Sequence, residues 1–394
     1  MPMDGFFGVA TIVWYAAGAV TVASIAYLLL AIGAVATRRV EAGPGWPSPP
    51  RVTLLKPLCG DEDGLEGALE SFFTQQIDFP LRIIFGVVDP ADPALAVARR
   101  VAARHPEVTA EFVIDRRVRG ANPKVSNLIN MAETGLGDIV AISDSDIIIA
   151  PGTLQAVIDR LAAPGVGAVT TAYRARPGIA GDRIRSFGAW NIDHWDLPMQ
   201  LLFARLTPLS VTYGPLTAVR GEVLASLGGL GALADHLCDD AALGRLVRAT
   251  GHSIAFAPAI AETLINDSSA GELFRHELRW ARTVRGLEPV GYILSLVSNP
   301  GPVPLLLLLR PSWPVAAMIA APLLLRWLLS RLVIRTLGRA EGLAAPGLLA
   351  VWLRDMACFA VWVSAFTVAH VGWRGQRLDL HDRDLLKPSR QPQP

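Results

Sequence analysis

From Phe7 to Val35 the chain carries no Asp, Glu, Lys or Arg. A run of that length spans the hydrocarbon of a bilayer when it is helical, and an isolated segment can satisfy its backbone there only as a helix. Arg38 and Arg39 follow directly. The run is too long for a signal-peptide core and shows no small-residue cleavage site, so residues 1–37 are expected to be a retained anchor. The arginine pair then places the following domain on the cytoplasmic side. Glu41 to Pro50, EAGPGWPSPP, reads as a Pro/Gly linker within 38–50. A hydrophobic share of 52% over 394 residues agrees with a membrane protein rather than a purely soluble one.

Two further candidate spans lie near the other end, Trp313 to Val333 and Gly347 to His370. Arg326, Arg331 and Arg354 fall inside them and must face protein, snorkel, or sit near a headgroup. Pro289 to Leu309 is apolar but interrupted by Pro300, Pro302 and Pro304, and is expected to be re-entrant or interfacial. The membrane region is thus 287–373. A basic tail, 374–394 (Arg374, Arg377, Arg383, Lys387), is returned to the cytoplasm by two crossings. The same count leaves Arg335 and Arg339 outside, against the positive-inside rule. A formal charge of +1 suggests no nucleic-acid partner. Cys59, Cys238 and Cys358 are far apart, lack metal spacing, and are expected to be reduced packing residues.

Between the apolar ends, residues 51–286 alternate strand and helix. Strands are predicted over Arg51–Pro57, Leu81–Val88 and Glu111–Ile114, with helices over Gly64–Gln76, Pro93–His105 and Pro123–Glu133. The next strand, from Ile139, is wholly apolar and stops at Asp144-Ser145-Asp146. This order implies an α/β fold with a parallel sheet and helices on both faces. Ligands in such sheets bind beyond the carboxyl ends of the strands. Two of those ends carry acids, Asp89 and the Asp144/Asp146 pair. No Gly-x-Gly-x-x-Gly follows the first strand and no P-loop occurs, which disfavours dinucleotide binders and phosphate-loop NTPases.

Asp144 and Asp146 suit Mg²⁺ or Mn²⁺ carrying a diphosphate, or else are solvated acids of a turn. Asn122 is placed as a helix cap. Lys124 sits where helix amides and its own charge can meet an anion, or is an ordinary surface lysine. Asp239 and Asp240 head an apolar helical pattern, and two adjacent acids exceed what capping needs. Inverting glycosyl transfer would need one such carboxylate as base and a cation on the leaving diphosphate. His276, Arg279, Trp280 and Thr283 share one helical face, which serves a phosphate and a flat apolar group or else touches lipid headgroups.

In order, these motifs resemble those of the membrane-anchored family-2/21-type glycosyltransferases, ceramide glucosyltransferase branch. The residues concerned are Gly86-Val-Val-Asp-Pro90, Gly120-Ala-Asn-Pro-Lys124, Asp144-Ser-Asp146, Cys238-Asp-Asp240 and His276-Glu-Leu-Arg-Trp280, and the similarity covers nearly the whole chain. The resemblance implies a GT-A-type, Rossmann-like catalytic domain with transmembrane helices at both ends, in a multi-pass protein of the bacterial inner membrane. It implies that Asp89 holds uridine, that Asp144 and Asp146 hold Mg²⁺ or Mn²⁺ with the diphosphate, and that Asp240, beside Asp239, is the catalytic base. Lys124 joins the substrate contacts, and His276, Arg279 and Trp280 close over diphosphate and acceptor. His276 departs from the Gln or Arg of the wider family. The segments Ala234-Asp-His-Leu and Arg275-His-Glu-Leu-Arg-Trp are most similar to the hopanoid-biosynthesis-associated subgroup. That implies transfer of N-acetylglucosamine from UDP to bacteriohopanetetrol, with UDP-glucose to ceramide as the alternative. A processive polysaccharide synthase would need more crossings, and a transporter would need many spans. A non-enzymatic membrane protein on this fold is disfavoured by the set of acids. The apolar stretch Trp190 to Leu209, with His194, is expected to be a membrane-dipping acceptor wall.

Overall fold

A computed structural model describes residues 3–60, 62–367, 370–373, 376–382 and 385–386. It divides into two units. A sheet unit comprises Arg39–Ile179, Phe203–Asn266 and Leu378–Pro394, and a helical unit comprises Met1–Arg38, Ala180–Leu202 and Asp267–Arg377. The expected domain 51–286 is therefore cut twice, because Ala180–Leu202 and the chain from Asp267 cluster with the helices.

The chain opens with α1 (Met3–Ala36), then alternates β1 (Val52–Pro57), α2 (Leu65–Phe73), β2 (Leu81–Val87), α3 (Pro93–Arg104), β3 (Thr109–Ile114), α4 (Pro123–Ala132) and β4 (Ile139–Ile142). Next come β5 (Ile147–Ile148), α5 (Thr153–Leu161), β6 (Val166–Pro177), α6 (Arg183–Asn191), α7 (Leu197–Leu206), β7 (Thr217–Arg220), α8 (Gly221–Ser226), α9 (Asp239–Ala249) and β8 (Ser253–Ile265). The chain continues through α10 (Ala270–Leu287), α11 (Pro289–Leu294), α12 (Trp313–Leu337) and α13 (Leu348–Ser364), and then β9 (His370–Trp373), β10 (Gln376–Asp382) and β11 (Leu385–Leu386).

The main sheet runs β3-β2-β1-β4-β7-β6-β8-β5. Its first four strands are parallel, as expected. Beyond β4 the expectation of a parallel sheet fails. Strand β7 is antiparallel to both β4 and β6, and β6 and β8 are parallel to each other. The sheet is mixed because the chain returns to β4 by a short strand from the far side instead of a further crossover helix. Both faces are covered. Leu54 and Ile83 enter one buried cluster with Phe72 and Ala98, while their neighbours Leu55 and Ile84 enter another with Leu128 and Val219. Alternation along each strand sends successive side chains to opposite layers, which is why these strands read as unbroken apolar runs.

In the helical unit, Gly8–Ala36 and Trp313–Leu337 are long and apolar enough to cross a membrane. Pro289–Ser298 and Val303–Leu309 form a pair bent by 62°, in keeping with the proline break. The expected span from Gly347 to His370 is instead the 17-residue α13, about 25 Å long at 1.5 Å per residue. Its charges are held by protein. Arg354 is 1% exposed and pairs with Glu277 of α10, and it donates to the Phe187 carbonyl at 3.3 Å. Arg326 of α12, equally buried, lies 3.6 Å from Asp355 and donates to the Ser298 carbonyl. Arg331 donates to the Pro346 carbonyl at 2.7 Å. Each arginine thus meets an acceptor inside the unit, which is how charge is tolerated at such positions.

Two expectations change here. His194 and Trp195 are buried, and Trp195 packs on Val351 and Cys358 of α13. The expected acceptor wall over Trp190 to Leu209 thus has His194 and Trp195 turned into protein, while Phe203 and Leu206 are exposed. Nor is the region from 374 simply a free tail. The Leu386 amide donates to the Asp235 carbonyl at 2.8 Å, and Leu385 forms a bridge with His236. Arg374, Arg383 and Lys387 lie outside the described residues, and so does the side chain of Arg377. Of the cysteines, Cys358 is buried as expected, whereas Cys59 is exposed and Cys238 is partly buried.

Candidate active site

The parallel strands β2, β1 and β4 end at one edge of the sheet, and the carboxyl ends of β2 and β4 lead into the expected acids. The loop after β4 carries Ser143, Asp144 and Asp146. A second acidic pair arrives at the start of α9, where Asp239 and Asp240 occupy the first turn and favour the positive end of the helix. One docking contact brings the two together. The Ala121 amide donates to Asp235 Oδ1 at 2.8 Å, the Asn122 amide to the Ala234 carbonyl at 2.9 Å, and Asn122 Nδ2 to the His236 carbonyl at 2.7 Å. With 120–122 fixed on 234–236, Lys124 reaches both pairs. Its Nζ lies 2.7 Å from Asp144 Oδ1 and 3.0 Å from Asp239 Oδ2.

Lys124 does not present open helix amides to an anion. Asn122 Oδ1 already accepts from the amides of Lys124 and Val125, so the expected cap is present and occupies them. Burial opposes the Lys124 charge, but Asp144, Asp239 and Asp240 outweigh it and hold its pKa well above the usual value. Asp239 is raised, by burial first and then by the adjoining acids that one ammonium only partly neutralises. Asp146 is also raised, by burial and by Asp144, although Thr263 of β8 donates to its Oδ2 at 2.8 Å.

Several groups here escaped the sequence reading. Lys56, at the end of β1, is fully buried and donates to the Asp144 carbonyl at 2.8 Å, with its ammonium 3.7 Å from the centre of the Phe72 ring. Burial brings its pKa down to about 7. A lysine inside the run Val52-Thr-Leu-Leu-Lys was the available signal. Cys238 donates its thiol hydrogen to Asp240 Oδ1 at 2.8 Å, and burial followed by Asp240 keeps it a thiol. Thr212 donates to the Asp240 carbonyl at 2.7 Å. Gly214 follows in the same loop, which is pinned by Thr170 to the Tyr213 amide and by Thr217 to the Tyr213 carbonyl. A Cβ on Gly214 would stand 3.0 Å from Asp144 Oδ2 and 3.5 Å from Asp240 Oδ2. Both carboxylate oxygens therefore border the space beside Gly214, and a glycine leaves that space free of a side chain.

Asp89 sits at the same sheet edge but makes no contact with this cluster in the structure. It is exposed, accepts from the Ala91 amide and from Arg116, both at 3.0 Å, and these two donors lower its pKa. His276, Arg279 and Trp280 lie on α10, in the helical unit. Of the expected shared face, the structure brings the His276 and Trp280 side chains together. The His276 and Trp280 rings meet edge-on at 4.3 Å, Thr283 donates to the Arg279 carbonyl, and His276 Nδ1 lies 2.9 Å from Asp267 Oδ2.

Among the described residues no three acids, histidines or cysteines are gathered into a ready-made metal cage. The donor set still fits a hard divalent cation. Mg²⁺ and Mn²⁺ are commonly held by one or two carboxylates, with substrate phosphate and water completing the shell. The acids here also outnumber the two lysines.

Comparison with known proteins follows the same lines. The family described as Glycosyl transferase family 21 matches residues 16–386. Ceramide glucosyltransferase 1 of Caenorhabditis elegans is 33% identical over 105 residues, 27% of this chain and 22% of the relative. Ceramide glucosyltransferase 3 of the same organism is 23% identical over 235 residues, 59% and 50%. The ceramide glucosyltransferase of Gibberella zeae is 30% identical over 136 residues, 32% and 25%. The chain spans half or less of the length of these curated relatives. Among solved structures, the mannosyltransferase PcManGT from Pyrobaculum calidifontis, in complex with GDP-Man and Mn²⁺, aligns with a TM-score of 0.55 at 18% identity, covering 90% of this chain and 99% of that one. The likeness shows the fold, which is GT-A-like.

Proposed function

The chain belongs to glycosyl transferase family 21, and from that premise we propose that it transfers one sugar, with inversion, from a UDP-sugar to a hydroxyl of a membrane lipid. The observation that carries this reading is the convergence of Asp144 Oδ2 and Asp240 Oδ2 on the space beside Gly214, with Lys124 tying Asp144 to Asp239. Asp240 is the base. Both of its side-chain hydrogen bonds go to Oδ1, from Cys238 and from the Ala241 amide. That leaves Oδ2, the atom facing Gly214, to take the proton of the attacking hydroxyl. Asp239 lies beside it and holds Lys124. Asp144 and Asp146 would hold Mg²⁺ or Mn²⁺, which when bound supplies positive charge for the leaving diphosphate. Lys124 would add its ammonium to the same anion. Asp89, at the edge of the sheet, is assigned to the uridine. Arg279, Trp280 and His276 keep the diphosphate and acceptor contacts implied by their motif.

For the substrates, the relatives named above favour UDP-glucose and ceramide. Transfer of N-acetylglucosamine to a hopanoid rests on motif resemblance alone. Mass spectrometry of lipids from a host that supplies both acceptors and both UDP-sugars separates the two, because a hexose on ceramide and an N-acetylhexosamine on a hopanoid differ in mass. The first product is expected, and the absence of any glycosylated lipid would remove the proposal. The two apolar helices support action at a membrane, and Arg38 and Arg39 after α1 support a cytoplasmic face; a bacterial inner membrane rests on the motif resemblance alone.

The metal assignment has its own test. Mn²⁺ with UDP-glucose is expected to raise the thermal midpoint of the purified full chain, since a ligand that binds only the folded state stabilises it. Asp144→Ala combined with Asp146→Ala should lose the part of the shift that depends on Mn²⁺. An unchanged Mn²⁺ titration in that variant would refute the site.

A further inference from the structure

Within the helical unit a cavity of about 320 Å³ lies among the bent pair, α12 and α13. Its existence follows from three interruptions. Gly301 turns the chain at φ +48°, and a Cβ there would come within 2.3 Å of Phe359, so the bend closes on α13 only with glycine. Pro322 inside α12 removes a helical hydrogen bond donor at the cavity wall. The Pro300–Pro304 segment is too irregular to fill the space with a regular helix face. Leu305, Leu308 and Trp352 line the cavity and are 41%, 56% and 39% exposed. Where α1 and α12, both long and apolar enough to cross a membrane, sit in a bilayer, that mouth would open on lipid.

The lining is apolar with one charged exception, Asp355, which is 6% exposed. Its Oδ1 accepts from Trp195 Nε1 at 2.7 Å, and Arg326 balances its charge from 3.6 Å. A carboxylate in such a wall is costly unless it serves a partner. Oδ2 remains as an acceptor. Arg354, the next residue, is the one that pairs with Glu277 on α10. The polar end of the cavity is therefore level with the contact to the helix bearing Arg279 and Trp280.

We infer that this cavity takes an alkyl chain of the acceptor lipid, with Asp355 accepting a hydrogen bond from a hydroxyl or amide N–H of the same molecule. Its volume is at the small end of ligand pockets, which run from about 300 to 1,000 Å³, and suits a segment of one slender chain rather than a fused-ring skeleton. The inference rests on the proposed lipid transfer and deepens it by placing the acceptor's apolar part.

The test uses the full chain in phosphatidylcholine nanodiscs and a ceramide carrying a diazirine on its alkyl chain, with a diazirine phosphatidylcholine as the comparison probe. Cross-links are expected on peptides covering 300–308, 316–323 or 352–356, and unlabelled ceramide should compete them away. Ala316→Phe and Ala320→Phe, which fill the cavity from α12, should reduce labelling and raise the acceptor KM about tenfold with kcat and the Kd for UDP-glucose unchanged. Equal labelling by the phosphatidylcholine probe, or labelling and KM untouched by both variants, would overturn the inference. The proposed function is read separately: wild-type protein that neither binds UDP-glucose nor forms product defeats that reading, whereas intact transfer with indifferent plugs defeats only the cavity.

Discussion

Asp240→Asn is expected to lower the rate of sugar transfer by about 10²–10⁴-fold, the usual contribution of a positioned general base, while the Kd for UDP-glucose stays close to wild type. The substitution is close to isosteric, and the geometry predicts that the side chain keeps its place. An amide oxygen at Oδ1 still accepts from the Cys238 thiol and the Ala241 amide, both at 2.8 Å in the wild type. Only the atom facing Gly214 changes, from a carboxylate oxygen that takes a proton to an NH₂ that cannot. Initial rates with saturating donor and acceptor, set beside calorimetric donor binding, give the answer. Turnover within a few-fold of wild type would take the role from Asp240. Asp239 would then be the next candidate, although it is held by Lys124.

The second large effect concerns stability. Removing one partner of a buried pair leaves the other charge uncompensated, at a cost of about 3–5 kcal/mol. Arg354 and Glu277 have side chains 1% and 7% exposed, so Glu277→Ala should fall in that range. The double variant Glu277→Ala with Arg354→Met should recover much of the loss, because the orphaned guanidinium is gone and the methionine stem still packs. Thermal unfolding of the full chain in nanodiscs compares the two. If the single and double variants lose the same small amount, the pair does not anchor α10 to α13.

How much of this was legible beforehand depends on the kind of interaction. Strands β1, β2 and β4 were readable because burial on both faces leaves an unbroken apolar run, α3 because proline stands at its start, and α4 because Asn122 caps a helix opening on Pro123. The far half of the sheet was not. The short strand β7 carries no pattern of its own, and only its pairing with β4 and β6 makes it a strand. At the candidate site, the acids announced themselves by charge within apolar surroundings. Lys56 offered the same signal, a charge in an apolar strand, whereas Thr263, Thr212 and Gly214 offered none, since each matters only through what the fold places beside it. The arginines of α12 and α13 posed a choice between lipid and protein that sequence could not make, and Glu277 and Asp355 make it.

The loop holding Asp144 and Asp146 draws its supports from β1, α4, the segment before β7, α9 and β8, spread from Lys56 to Thr263. Closing contacts over such separations takes chain entropy that nearby contacts do not. During synthesis the four parallel strands can pair as soon as β4 has emerged, but Asp146 has no hydroxyl to meet until β8 has left the ribosome. The candidate site is accordingly among the last parts of this unit able to assemble, after the scaffold beneath it already exists.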